Sequence, residues 1–173
     1  MRGFIPAVLA VALLAAKAIA LPPPQVKLLS PLRLIPQTKL VELLEKEDLC
    51  WTQPYRDGSI RQVSTAVLIE APIQRVWSRL CDYEHQARWV PGLKRSLVLR
   101  RRGAKLSLLR EYEVPGNNLE FRYELLHRPM ESITVSLKDG DGLMESGRWR
   151  LDLFEVDGGR RTLLIRDGHM LMR

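Results

Sequence analysis

From Cys50 onward, apolar residues recur at every second position, the period of strands with one buried face. Cys50–Tyr55 meets Asp57-Gly58 and returns through Ile60–Ile69, which predicts a hairpin. Six further segments of this kind follow: Ser96–Arg101, Leu106–Val114, Leu119–Leu126, Ser132–Leu137, Met144–Phe154 and Thr162–Met172. They are separated by Gly103, Pro115-Gly116-Asn117-Asn118, Arg128-Pro129, Asp139-Gly140-Asp141-Gly142 and Asp157-Gly158-Gly159. Connections this short make neighbouring strands antiparallel. Between the hairpin and these segments the period changes. Pro72 stands where a helix starts, and Val76, Trp77 and Leu80 carry helical spacing over 72–81. Residues 82–92 then read as a loop or a second short helix. Upstream, Thr38 is placed to cap a helix through Glu47 whose stripe is Leu40, Val41, Leu43 and Leu44.

The alternation also sorts faces. Leu119, Phe121, Tyr123 and Leu125 point one way, and Glu120, Arg122 and Glu124 the other. Ile133, Val135 and Leu137 repeat the pattern, as do Trp149, Leu151 and Leu153 opposite Arg148, Arg150 and Asp152. The apolar face of such a sheet has to be covered. Helices 72–81 and 38–47 and the loop 82–92 are the available cover, and they are meagre for a sheet of this length. Either a cavity remains beneath them or a partner fills the space.

The N-terminus has a different grammar. Arg2 precedes an apolar run from Phe4 to Ala16, and Ala18-Ile19-Ala20 has the small-x-small pattern of a signal-peptidase site. Residues 1–20 are therefore expected to direct export to the periplasm or the exterior; the alternatives are an uncleaved membrane anchor and an organelle transit peptide. Pro22, Pro23, Pro24, Pro31 and Pro36 predict an extended tether over 21–37, with the domain proper spanning 38–173. Composition adds a bound. With 173 residues, 46% hydrophobic and 27% charged, the chain is globular and long enough for one core. The formal charge is +7, of which Arg2 and Lys17 supply two.

Several stretches resemble the START/polyketide-cyclase (SRPBCC, helix-grip) superfamily. Val67-Leu68-Ile69-Glu70-Ala71-Pro72 followed by Arg75-Val76-Trp77 looks like its first strand running into an "A-P-x-x-V-W" helix, and Leu80-Cys81-Asp82-Tyr83 like the "L-x-D-Y" that closes it. Trp89-Val90-Pro91-Gly92-Leu93 is similar to its "W-x-P-G" turn. Gly147-Arg148-Trp149-Arg150-Leu151 is similar to the "G-x-W-x-L" of a late strand, and Arg161-Thr162-Leu163 to the "x-T-x-L" of the last. Within the superfamily the chain looks most like the coenzyme Q-binding, polyketide cyclase/dehydrase-type branch. The resemblance implies an α+β fold: a curved antiparallel sheet gripping short helices. It also implies a long C-terminal helix across the sheet, whereas the sequence ends at Arg173, directly after the last predicted strand. That lid is expected to be lost by truncation, supplied by helix 38–47, or supplied by another molecule.

What the resemblance implies functionally is a hydrophobic cavity that binds or transports a lipid, quinone or polyketide-like molecule, with no cofactor. Its walls would be Phe121, Tyr123, Val135, Trp149 and Leu151, with Tyr112 beside them and Trp77 and Trp89 near the mouth; taken singly, each reads first as ordinary packed core. Arg110 interrupts the apolar row Leu106, Leu108, Tyr112. A buried unpaired guanidinium is costly, so Arg110 either meets a polar partner or ligand headgroup, or turns to solvent at a bulge. The alternative class is a cyclase/aromatase-like enzyme using Asp82, His85 or Tyr112. No nucleophile, zincin or metal spacing involves the three histidines, and Asp139–Gly142 lacks the later ligands of a calcium loop. Seven basic residues and no acid lie between Lys94 and Arg110, which suits an anionic membrane surface or a solvated hairpin face; export and the lack of stacking aromatics in the run argue against nucleic acid. Cys50 and Cys81 either pair in an oxidising compartment or leave Cys81 a buried free thiol.

Overall fold

A computed structural model of the chain describes residues 30–172 except 57, 59, 142 and 143. The expected export segment 1–20, the first part of the expected tether and residues of two turns lie outside the described residues. Eight strands form one antiparallel sheet: β1 (Leu49–Pro54), β2 (Ile60–Ile69), β3 (Leu93–Arg102), β4 (Lys105–Val114), β5 (Asn117–Arg128), β6 (Ser132–Gly140), β7 (Met144–Val156) and β8 (Arg161–Met172). Their order across the sheet is β1-β2-β8-β7-β6-β5-β4-β3. The meander β3–β8 therefore returns to pair with β2, leaving β1 and β3 at the edges. Pro54 ends β1, where a missing amide donor costs an edge strand little.

α2 (Ile73–Cys81) and a 3₁₀ turn at Tyr83–Arg88 sit on the concave face, as the change of period predicts. Ile73 and Val76 of α2 pack with Leu153 and Leu164, and Tyr83 joins the row Leu106, Leu108, Phe121, Tyr123 and Leu125. α1 (Gln37–Leu44) departs from expectation twice. It starts after Pro36, without a side-chain cap from Thr38. It also lies on the convex face: Leu40 and Leu44 pack with Ala66, Leu163 and Ile165, whose alternation points away from Leu153 and Leu164. Helix 38–47 is thus no lid for the concave face.

The described end of the proline-rich stretch is no free tether either. Ser30 caps a 3₁₀ turn at Pro31–Leu34 through Leu32 N (3.2 Å), and Ser30 and Leu32 are buried. Arg33 reaches across the sheet to the carboxylates of Asp152 and Asp167. Burial alone would lower the Arg33 pKa, but hydrogen bonds to those two carboxylates outweigh it and raise it. Proline here starts helical turns instead of keeping the chain extended. Asp152, which alternation places opposite Leu151 and Leu153, is buried because this strap covers it.

Two glycines do work that alternation conceals. Gly140 closes β6 instead of standing in the turn, and a Cβ there would run into the Phe121 ring. Gly168 of β8 lies opposite Trp149 and leaves room for its indole. Both residues let a large ring lie flat against a neighbouring strand.

Candidate functional site

Between the concave face of β4–β8 and the α2/3₁₀ segment lies a cavity of about 300 Å³. The strand pleat turns alternate side chains into it: Tyr112 from β4, Tyr123 and Leu125 from β5, Ile133 and Val135 from β6, Trp149 and Leu151 from β7. Leu80, Tyr83, Gln86 and Val90 form the opposite wall. Aromatic rings run across the floor: Tyr112 meets Phe121 edge-on at 6.0 Å, Phe121 lies 6.2 Å from Tyr123, and Tyr123 meets Trp149 edge-on at 5.7 Å. Such contacts hold rings in fixed orientations, so the wall is largely pre-formed.

Two cations enter this apolar space. Arg110 turns inward, which removes the solvent-facing alternative. One of its Nη atoms donates to Gln86 Oε1, and its guanidinium lies 5.8 Å from the Tyr123 ring centre. Gln86 is itself fixed, its Nε2 donating to Leu80 O at 2.9 Å. Arg110 Nε is buried without a partner, as is Oγ of its cross-strand neighbour Ser96. Arg166 of β8 supplies the second cation. Burial pushes the phenols of Tyr83 and Tyr123 well above the ordinary tyrosine range, so both stay neutral hydroxyls. No carboxylate, imidazole or thiol lines the cavity among the described residues, and no cluster of three metal-ligating side chains occurs among them.

Of the residues singled out in the sequence, Arg110, Tyr112, Tyr123, Val135, Trp149 and Leu151 come together here. Phe121 is packed beneath them as core. Trp77 lies behind the wall, edge-on to His127 at 5.7 Å, where Tyr83 Oη also reaches His127 Nε2 at 2.7 Å. Trp89 is 37% exposed, stacked by Arg79 at 4.6 Å over an open depression along α2 of about 970 Å³. Neither Trp77 nor Trp89 borders the cavity of about 300 Å³. The acid/base set is split: Asp82 and His85 pair with each other at 2.6 Å outside the cavity, and only Tyr112 enters it. Cys50 and Cys81 are both free: Cys50 is exposed on edge strand β1, while Cys81 ends α2 among the concave-face core. Its thiol is pushed up by burial.

Gln86 and Arg166 went unread in the sequence. Arg166 carries the signal that flagged Arg110, a cation in an otherwise apolar row (Leu164, Gly168, Met170). Gln86 lies one 3₁₀ turn after Tyr83 on the same inward side, but a polar side chain in a stretch read as a loop or short helix does not mark itself as inward.

A profile of the family described as polyketide cyclase / dehydrase and lipid transport matches residues 69–163, more than half of the chain. A comparison with curated proteins gave no match. Among solved structures, the chain is similar to the Zhui aromatase/cyclase from Streptomyces sp. R1128, with a TM-score of 0.61 and 19% identity over 65% of this chain and 68% of that one. It is also similar to a START superfamily protein from Mycobacterium smegmatis (TM-score 0.57, 24% identity, 65% and 78%). A STAR-related lipid transfer protein fragment from Xanthomonas axonopodis aligns with a TM-score of 0.58 and 14% identity over 72% and 77%. At these identities the likeness is one of fold. Nothing in it singles out the coenzyme Q-binding branch.

Proposed function

Because the chain belongs to the polyketide cyclase / dehydrase and lipid-transport family, we propose that its concave cavity binds and carries an apolar small molecule without transforming it. The observation that carries this reading is the cavity of about 300 Å³ walled by Tyr123, Val135, Trp149 and Leu151. A guest burying about 200 Å² of apolar surface there gains about 5 kcal/mol, enough for retention without bond chemistry. Arg110 and Arg166 orient the guest, whose polar end meets the free Arg110 Nε. Lipid, quinone and polyketide-like molecules share this build, an apolar body with a polar end. Binding without turnover is supported by the lining, which offers neutral phenols and guanidinium groups and no side chain that exchanges protons near neutral pH. Export of the domain rests on the pattern of residues 1–20 alone.

The test is solvent extraction of the purified full-length chain followed by mass spectrometry, beside Val135→Trp, which fills the cavity. A defined apolar molecule should leave the unaltered chain in near-stoichiometric amount, and Val135→Trp should carry at least tenfold less. An extract equally rich from both proteins sinks the reading, as does an empty one from the unaltered chain.

A further inference from the structure

The basic run between Lys94 and Arg110 does not act as one patch. Lys94 and Arg95 are engaged by Glu111 at 3.4 and 3.2 Å, and Arg110 is spent inside the cavity. Arg100, Arg102 and Lys105 remain on the convex side of the tip of the β3–β4 hairpin, with Arg101 turned to the concave side, and no ion pair reaches any of them among the described residues. Nearby carboxylates on β5 are already committed, Glu120 to Arg95 and Arg122 and Glu124 to Lys138. The positive field of the tip is therefore uncompensated.

Leucines stand among these cations. Leu97 lies opposite Leu109 and Leu126 opposite Lys105, all on the convex face, and Leu97, Leu99 and Leu126 are 38%, 54% and 43% exposed. The Pro31–Leu44 strap covers this face only on the β2–β8–β7 side. A row of wet leucines ringed by unpaired cations matches an anionic bilayer surface: the guanidinium and ammonium groups meet lipid phosphates, and the leucines enter the interfacial layer. Nucleic acid fits less well, because no aromatic ring stands in the run to stack on a base. The charged edge strand β3 also discourages strand addition by a protein. We propose that the β3–β4 hairpin and the adjoining convex face dock this domain on an anionic lipid bilayer.

The test is co-sedimentation of the full-length chain with phosphatidylcholine vesicles and with vesicles carrying about 30 mol% phosphatidylglycerol. Partitioning should rise at least tenfold with the anionic lipid. The variant Arg100→Gln/Arg102→Gln/Lys105→Gln should lower it about 100-fold on those vesicles. Leu99→Asn should lower it several-fold. Binding by the apolar residues 4–16 would be equal on both vesicle types, so equal partitioning overturns the proposal. Unchanged binding of a folded triple variant overturns it as well. Should that variant fail to fold, salt decides: raising ionic strength to about 0.5 M must release the unaltered chain from the anionic vesicles, and retention there refutes the docking face.

Discussion

Leu32, Leu40 and Leu44 reach the convex face of β2 and β8 with almost no surface left exposed, whereas Leu80, Val90 and Leu151 border an unfilled cavity on the concave face. The polar groups follow the same division. On the convex side, Arg33 is answered by two carboxylates and Asp152 by two guanidinium groups. On the concave side, Arg110 has Gln86 and the face of Tyr123 but leaves Nε without a partner. Over β2, β8 and β7 the convex face is closed by its own chain and its cation is fully paired, although Asp167 Oδ1 and Gln62 Oε1 are buried there without hydrogen-bond partners. The concave face is closed in neither packing nor charge, and the two deficits coincide around a single cavity. That coincidence supports the proposed concave binding site more strongly than volume alone does.

The comparison breaks most sharply at Asp152. Asp152→Ala should cost about 3 kcal/mol, because it removes a buried carboxylate and leaves the partly buried Arg33 with Asp167 as its remaining partner. For a chain of this size that lowers Tm by about 10 °C. Arg150→Ala, which removes a half-exposed partner of the same carboxylate, should cost less than about 1 kcal/mol. Equal costs would mean that the strap is not closed by this ion cluster. A pair of leucines probes the packing itself. Leu40→Ala should cost about 3 kcal/mol, the ordinary result for a fully enclosed leucine, and Leu151→Ala less than about 1.5 kcal/mol, since its side chain already borders empty space. Denaturant melts of the ligand-stripped proteins decide, and equal losses would show the concave side to be as tightly packed as the convex.

Most strands were legible because antiparallel strands with one buried face print their period directly on the sequence; Leu119–Leu126 alone shows which side chains face inward. The same reading placed Tyr123, Val135, Trp149 and Leu151 on one wall. It failed where the covering element lies far away in sequence. Nothing local says that Leu40 packs on Leu163 instead of Val135, and a stripe on a short helix fits either face equally well. For the same reason alternation places Asp152 opposite the core but does not tell that the strap covers it. The two tryptophans were drawn to the cavity by their size, yet Trp89 is held outside by Arg79 and Trp77 backs the wall instead of lining it. Gln86, which holds Arg110 in place, shares the inward side of a 3₁₀ turn with Tyr83, and its polar side chain hides that in the sequence.

The smallest expected effect separates the two covers by pH. His127 joins β5 to the concave cover through Tyr83 Oη, while the strap from Ser30 to Leu44 carries no histidine. Burial, reinforced by Arg101, holds the His127 pKa below its ordinary value of 6.5. The unfolded chain consequently takes up the proton first as pH falls, and the native state loses stability from about pH 6.5 down to the depressed native pKa. Above that window the contribution is fully present. His127→Gln should flatten the slope of stability against pH there without abolishing it, because burial also depresses His169. Protonation of His127 also places a positive charge in the part-buried contact with Tyr83 Oη, so the concave cover should loosen before the strap does. Tryptophan fluorescence near Trp77 should then shift at a higher pH than the far-UV signal of the sheet. Coincident transitions in the unaltered chain, or an unaltered slope in His127→Gln, would show that the two covers open as one unit and that this histidine does not tie the concave side down.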